Sequence, residues 1–286
     1  MTVGADGSLP IVTLHRLSNG LAHWSFASSA DNPEHDHELA VRESISPSAD
    51  LVAVLPDMLG VLYDSLEMEL TCPYSLSVRD SLELDLDREE LGLTYGEITP
   101  GAMVEALLAA NATASDVLLD LGSGSGRAAL AGASAGVGHV FGIELLPSLV
   151  ALACAAVAKA AEAPDQWPVA VRRATFLQAD FLQTRWWEGL SAPSCPAAVF
   201  LPSIVYIAAT KWQDVLPQLT CCVLRLPIGT RVLVTSLPLV EQSDERDVSE
   251  ANVMVMAKAV EIWCRTVQYL HGPELMRMYE IRAAVL

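Results

Sequence analysis

Apolar residues recur every three or four positions from Ala49 to about Glu69, which predicts an amphipathic helix with a kink at Pro56. A second stretch, from about Ser77 to Leu91, also favours a helix, although alternating leucines within it leave a strand as the alternative. The residues before these helices are irregular and rich in Ser, Asn and Asp. We therefore expect an irregular and partly helical N-terminal annex over residues 1–92, ahead of a main domain at residues 93–286.

Beyond the annex, short apolar runs alternate with longer amphipathic stretches, a pattern typical of strands and helices in turn. Thr99 suits an N-cap, and Pro100 suits the first turn of a helix that reaches about Leu108. The predicted strands are Asp116–Asp120, His139–Glu144, Ala174–Asp180, Ala197–Leu201 and Arg231–Ser236. Further helices are predicted near Ala128–Ala135, Ser148–Glu162 and Trp212–Leu224, and an antiparallel hairpin near Val260–Leu270 and Leu275–Ile281. This order predicts an α/β fold with a doubly wound, mostly parallel sheet.

The formal charge narrows the choice of partners. It is −18, from 17 Lys and Arg against 35 Asp and Glu. Affinity for phosphate rests on cationic side chains, so we expect no direct affinity for nucleic acid. A basic protein partner suits the charge better, and solubility alone is the alternative explanation.

The cysteines and the apolar runs indicate whether the protein is secreted or inserted in a membrane. The six cysteines form no C-x-x-C pair, and neither a signal peptide nor a membrane-length apolar segment is visible. We expect a soluble, non-secreted protein with buried thiols. The sequence Glu34-His35-Asp36-His37-Glu38 has the H-x-H spacing of metal ligands, but its flanks favour a mobile acidic loop, so we expect no metal site.

The strongest local signal is a glycine-rich loop directly after a predicted strand, Asp120-Leu-Gly122-Ser123-Gly124-Ser-Gly126-Arg127. Glycines there let the backbone turn tightly and approach a ligand closely. A dinucleotide site needs a small residue where Arg127 stands, whereas here an acid, Asp120, precedes the first glycine. This arrangement suits a ligand with a cationic amino-acid end and no pyrophosphate, namely S-adenosyl-L-methionine.

Acidic residues also end the next two predicted strands. Glu144 stands where a carboxylate can bind both ribose hydroxyls, a device that NAD enzymes share. Asp180 can accept the exocyclic N–H of adenine, and Phe181 can pack on the base. A solvated strand end is the alternative for each acid alone, but three acids around one glycine loop favour a binding site.

Four motifs together resemble the Dot-type (disruptor of telomeric silencing, non-SET) histone-lysine methyltransferases. They are Leu93-Thr-Tyr95-Gly96-Glu97-Ile98-Thr-Pro, the glycine loop, Gly142-Ile-Glu144 and Ala179-Asp180-Phe181, within roughly Leu93–Pro238. The resemblance implies a Rossmann-like class I methyltransferase fold with a mostly parallel seven-stranded sheet and a C-terminal antiparallel hairpin. It also implies S-adenosyl-L-methionine as cofactor, a lysine of a histone or other basic protein as acceptor, and a nuclear location, with the cytoplasm as the alternative.

The resemblance implies a role for each motif. Tyr95 and Glu97 would lie over the methionine moiety, with Glu97 a candidate for its ammonium group. The amino-acid end would be held by Asp120 and the loop, the ribose by Glu144, and the adenine by Asp180 and Phe181. The implied cofactor-binding residues are Tyr95, Glu97, Asp120, Gly122, Ser123, Gly124, Gly126, Glu144, Asp180 and Phe181.

On the acceptor side, the resemblance implies an asparagine-rich segment after the fourth strand, lining the lysine channel. We assign that segment to residues 200–206, where Pro202 takes the place of the asparagine and offers no donor. Ser203 and Tyr206 could supply polar groups instead, and the Trp186-Trp187 pair could form a wall or simply pack. The catalytic candidates are Tyr95, Ser203 and Tyr206.

Three functions stay open at this point. The first is a protein-lysine methyltransferase, which the resemblance favours. The second is an S-adenosylmethionine-binding scaffold or regulatory protein with weak or no activity, which Pro202 favours. The third is a small-molecule methyltransferase.

Overall fold

The computed structural model describes residues 12–16, 22–26, 44–64, 66, 73–86, 96–182, 201–209, 214–239 and 257–283. The predictions for Tyr95, for Trp186-Trp187 and for the acidic loop around His35 lie outside these residues. The chain divides into two compact units, residues 1–41 with 192–199, and the remainder. In the first unit, β1 (Val12–Arg16) and β2 (Ala22–Phe26) form an antiparallel pair.

In the described part of the second unit, seven strands form one sheet in the order β5-β4-β3-β6-β7-β9-β8. Strands β3 to β7 run parallel to their neighbours among themselves, and β9 runs antiparallel to both β7 and β8. The strands are β3 (Val117–Leu121), β4 (His139–Glu144), β5 (Thr175–Gln178), β6 (Ile204–Ile207), β7 (Arg231–Thr235), β8 (Ala257–Tyr269) and β9 (Gly272–Ala283). The predicted mostly parallel sheet with a C-terminal antiparallel hairpin is confirmed.

Helices cover both faces of this sheet. They are α1 (Ala49–Asp64), α2 (Pro73–Glu83), α3 (Pro100–Ala109), α4 (Arg127–Ala135), α5 (Pro147–Glu162) and α6 (Leu216–Val223). Successive strand side chains point to opposite faces, so Leu118 joins a core with α1 to α5 while Leu119 joins a core with α6. This layering explains why the strands are apolar throughout: both faces of β3 and β6 are buried.

Local signals set the helix starts where a capping residue is present. Thr99 is the N-cap of α3, and its side chain accepts a hydrogen bond from the Ala102 backbone N–H, as predicted. Pro56 lies inside α1 on its exposed side, while α1 buries an apolar stripe that includes Leu55 and Leu59. Both α1 and α2 belong to the same compact unit as the sheet.

The structure corrects two elements. The second helix runs from Pro73 to Glu83, and Asp85 has a φ of 52°, so the alternative of a strand is wrong. The fourth parallel strand was predicted at Ala197–Leu201, but Leu201 lies outside any strand and the strand is Ile204–Ile207. Its place is set by parallel pairing with β3 and β7, which the local pattern of apolar residues does not encode.

Candidate functional site

A cavity of about 260 Å³ opens where β3, β4, β5 and β6 end, at the carboxyl edge of the parallel strands. Most of the sequence-predicted cofactor residues line it together: Glu97, Asp120, Gly122, Ser123, Gly124, Glu144, Asp180 and Phe181. Gly126 belongs to the same loop but does not line the cavity. The topology therefore brings into one place residues that lie more than 80 positions apart in the chain.

The glycine loop needs its glycines for conformation and for space. Gly122, Gly124 and Gly126 have φ angles of 74°, 54° and 87°, in the left-handed region that other residues rarely adopt. On the neighbouring strand, a Cβ at Gly142 would lie 2.6 Å from the hydroxyl oxygen of Ser123 in the loop. The close approach of loop and strand thus depends on the absence of side chains.

Asp120 has a buried carboxyl group without a hydrogen-bond partner. It is 1% exposed, and neither of its oxygens has a donor at hydrogen-bond geometry. Burial and the neighbouring charge of Glu144 raise its pKa to about 8, against a smaller opposing effect of the Ala129 backbone N–H. A buried polar group left unpaired is costly, so Asp120 has the properties of a group that is completed by a cationic ligand.

Glu144 links two backbone segments at the edge of the cavity. Its Oε2 accepts a hydrogen bond from the Gly124 N–H at 2.8 Å, and its Oε1 accepts one from the Leu146 N–H at 2.9 Å. Burial raises its pKa, and these backbone donors act in the opposite direction. Glu144 therefore holds the glycine loop and the start of α5 in one arrangement.

Glu97 lies at the cavity but is already engaged with other side chains. One oxygen accepts a hydrogen bond from the Ser125 hydroxyl, and the other lies 3.4 Å from a guanidinium nitrogen of Arg127. The segment that carries Glu97 docks on the end of β8, where its carbonyl accepts from the Leu270 N–H. These contacts favour Asp120 over Glu97 as the partner of a ligand ammonium group.

Asp180 and Phe181 follow β5 and also line the cavity. One oxygen of Asp180 accepts a hydrogen bond from the Leu182 N–H at 2.8 Å, which turns the chain sharply after the strand. The apolar lining of the cavity also includes Leu182, next to Phe181, and Val215, the residue before α6.

Two acceptor-side assignments are corrected by the position of β6. Ser203 precedes this strand, and its hydroxyl donates to Asp116 and accepts from the Val117 N–H at the amino end of the sheet. It does not line the cavity, because parallel strands place their two ends on opposite edges. Pro202 also precedes the strand, so it is not the residue that follows the fourth strand; that position belongs to Ala208 and Ala209, and Ala208 lines the cavity.

Tyr206 does line the cavity, from the centre of β6. Its Cα pairs with that of Asp120, and its hydroxyl is hydrogen-bonded to the hydroxyl of Tyr269. Tyr269 in turn shares a 2.8 Å hydrogen bond with the Thr235 hydroxyl. Burial raises the pKa of Tyr206 well above its ordinary range and that of Tyr269 to about 12, so both remain protonated at neutral pH.

Sequence reasoning missed several residues of this site. Tyr269 and Thr235 join the hydroxyl cluster from β8 and β7, and only the pairing of those strands brings them beside Tyr206. Ser77 and Leu86, from the predicted annex, also line the cavity. No local motif marks any of these residues, because their role depends on contacts with distant segments.

The described residues contain neither a metal cluster nor a membrane-spanning helix. Within them, no three His, Cys, Asp or Glu side chains come together as ligands for a metal ion. None of the helices that can be described is both long and apolar enough to cross a bilayer.

The chain was compared with curated proteins, with solved structures and with models of protein families. No curated protein matches the chain. Similar solved structures include an RNA methyltransferase from Salinibacter ruber (22% identity, 66% of this chain and 95% of that chain, TM-score 0.39). Another is the O-methyltransferase TomG from Streptomyces achromogenes (17% identity, 79% of this chain and 96% of that chain, TM-score 0.41). The family model described as histone methylation protein DOT1 matches residues 74–263, which is more than half of the chain and includes the glycine loop, Glu144 and Asp180.

Proposed function

The chain belongs to the DOT1 histone methylation family, and on that premise we propose that it methylates a lysine of a histone or another basic protein. It is an S-adenosyl-L-methionine-dependent methyltransferase, and the acceptor is the part that we infer. The observation that carries the cofactor site is the buried, unpaired Asp120 carboxyl group at the cavity, beside the glycine loop, and the formal charge of −18 supports a basic acceptor.

The residues of the cavity fit the cofactor. Asp120 would bind its ammonium group, and the backbone of the glycine loop would lie against its amino-acid end. Glu144 would hold the ribose hydroxyls, while Asp180 and Phe181 would hold the adenine. Tyr95, which the resemblance places over the methionine moiety, remains a proposed contact.

Methyl transfer mainly requires that the acceptor nucleophile is aligned with the methyl group of the cofactor and that water is excluded. When bound, S-adenosyl-L-methionine supplies a methyl group that its sulfonium has already activated. The chain's own contribution is the apolar part of the cavity lining, which includes Leu86 and Ile98 and would disfavour a charged acceptor amine by desolvation. The hydroxyl of Tyr206 keeps its proton, so we propose that it lies beside the acceptor as a neutral polar group.

The acidic surface supports a basic protein as acceptor. With a formal charge of −18, the chain attracts Lys- and Arg-rich segments at a distance and repels nucleic acid. The proposed acceptor is therefore a lysine that is presented by a positively charged chain.

Transfer of labelled methyl groups tests this proposal directly. The protein is incubated with methyl-labelled S-adenosyl-L-methionine and with core histones, the same histones with blocked lysines, or a mixture of small amines and phenols. We expect label in the unblocked histones, a mass increase of one methyl group on lysine, and no label when the lysines are blocked. Label in the small molecules alone would refute the proposal.

A pair of glycine variants provides the matched control. Gly124 and Gly229 both have positive φ angles, 54° and 89°, but Gly229 is far from the glycine loop in sequence and has no atom within 4 Å of an added Cβ. Gly124→Val should abolish both cofactor binding and transfer, whereas Gly229→Val should keep both. Cofactor binding that survives Gly124→Val would contradict our placement of the site.

One observation favours a second candidate function. The two residues after the fourth strand, Ala208 and Ala209, carry no hydrogen-bonding side chain where the family resemblance implies asparagines. A chain that kept the cofactor loop and lost the acceptor groups would act as an S-adenosylmethionine-binding scaffold. Cofactor binding without transfer to any acceptor in the same assay would support this second candidate.

A further inference from the structure

We propose that α1 and α2, the two helices that precede the sheet, position the cofactor site by anchoring its two loops. In this arrangement Tyr63 of α1 holds the glycine loop, and Asp80 of α2 holds the first turn of α5, directly after the loop that follows β4. The inference rests on the proposed cofactor site. The part that concerns Tyr63 lies outside the family match, because α1 ends at Asp64 and the matched residues begin at 74, whereas Asp80 lies within the matched residues.

Tyr63 reaches the glycine loop from the last turn of α1. Its side chain is buried, and its hydroxyl donates to the backbone carbonyl of Ser125 at 2.6 Å. The guanidinium of Arg127 lies over its ring, 4.4 Å from the centroid. Burial, with the nearby charge of Glu97, raises the pKa of Tyr63, so the hydroxyl keeps the proton that it donates.

Tyr63, Ser125, Glu97 and Arg127 form one connected network of contacts. The Ser125 hydroxyl donates to Glu97, and Arg127 pairs with the other oxygen of Glu97 at 3.4 Å. Ser125 itself lies between Gly124 and Gly126, both with positive φ. A loop of this composition has high conformational freedom, so a hydrogen bond from outside the loop restricts the conformations that it can adopt.

Asp80 caps α5 from another helix. It is 1% exposed, its Oδ2 accepts from the Ser148 backbone N–H at 2.7 Å, and its Oδ1 accepts from the Ser148 hydroxyl at 2.7 Å. The N-cap residue of α5, Leu146, has no side chain that can cap the helix. Asp80 thus supplies, from a different helix of the same chain, the acceptor that helices usually have in their own N-cap residue.

Glu144 connects the two anchors. It accepts from Gly124 in the loop that Tyr63 holds, and from Leu146 at the start of the helix that Asp80 caps. A shift of either helix would therefore move the residue that is proposed to hold the ribose. For this reason we place Tyr63 and Asp80 as positioning residues, without contact to the cofactor.

The test compares two variants with one control in the full chain. Tyr63→Phe keeps the ring under Arg127 and removes only the hydroxyl, and Asp80→Ala removes both acceptor oxygens of the cap. Thr220→Val is the control, because it deletes a buried hydroxyl that bonds the Leu216 carbonyl within α6. Titration calorimetry with S-adenosylhomocysteine gives Kd, thermal unfolding gives Tm, and hydrogen exchange without cofactor reports on the loop amides.

Each positioning variant should raise Kd roughly fivefold to tenfold, equivalent to about one hydrogen bond. Exchange at residues 122–126 should accelerate in Tyr63→Phe, and kcat at saturating cofactor should stay near that of the unsubstituted protein. Thr220→Val should lower Tm without changing Kd or loop exchange.

Two outcomes would overturn the inference, and they are distinguishable. Unchanged Kd and unchanged loop exchange in both positioning variants would refute anchoring while the cofactor site stands. Failure of the unsubstituted, folded protein to bind S-adenosylhomocysteine would refute the cofactor site itself and the anchoring with it.

Discussion

Replacing the Asp120 carboxylate with the amide of asparagine removes a buried ionisable group from the cavity while keeping its size. In the folded, cofactor-free protein, burial and Glu144 raise the pKa of Asp120 from 3.8 to about 8. The unfolded chain releases this proton near the ordinary pKa. Between these two values the folded state binds more protons, so the stability that depends on Asp120 falls as the pH rises.

The size of the effect follows from the shift. At 1.36 kcal/mol per pKa unit, stability should fall by about 1.4 kcal/mol per pH unit over this window, to a maximum of roughly 6 kcal/mol by pH 8. Asparagine does not titrate. Asp120→Asn should therefore match the unsubstituted protein near pH 4 and become progressively more stable than it up to about pH 8.

Urea unfolding of both proteins at several pH values from 4.5 to 8.5 measures this difference, in which the titrations of groups distant from Asp120 cancel. Titration calorimetry with S-adenosylhomocysteine then measures the functional consequence. The variant should bind at least tenfold more weakly at pH 8, because it cannot ionise to pair with the ligand ammonium. A stability difference that is independent of pH, or a variant that is less stable at pH 8, would refute the reasoning about Asp120.

Two further substitutions test other parts of the structure. Gly142→Ala places a Cβ 2.4 Å from the Phe176 ring, so we expect the free energy of unfolding in urea to fall by about 1–3 kcal/mol and S-adenosylhomocysteine to bind more weakly. Unfolding and binding that match those of the unsubstituted protein would show that this close approach is absent. Asp116→Ala leaves Arg231 without its ion-pair partner at the amino end of the sheet, so we expect the free energy of unfolding to fall by about 3–5 kcal/mol. The Kd for S-adenosylhomocysteine should not change in the protein that remains folded. An altered Kd would contradict the separation of this ion pair from the cavity at the carboxyl end of the strands.

The sequence by itself determined the elements whose signals are local. Strand β4 was predicted with the bounds that the structure has, since a short apolar run between polar flanks needs no distant information. Thr99 is the N-cap that its side chain predicted. The glycine loop and the acids Asp120 and Glu144 could be ordered along the chain because each was predicted to follow or to end a strand. Together with Tyr95-Gly96-Glu97 and Asp180-Phe181, they carried the resemblance to the family that the match over residues 74–263 confirms.

Only the tertiary structure decided which of these residues meet and which do not. Ser203 and Tyr206 are three positions apart, yet the pairing of β6 with β3 sends Ser203 to the amino edge of the sheet and leaves Tyr206 at the cavity. The partners of Glu97 and the contact of Tyr63 with the glycine loop were likewise invisible in the sequence. The physical reason is that periodicity and capping act within a few residues, whereas strand pairing and helix docking depend on burial shared between segments far apart in the chain.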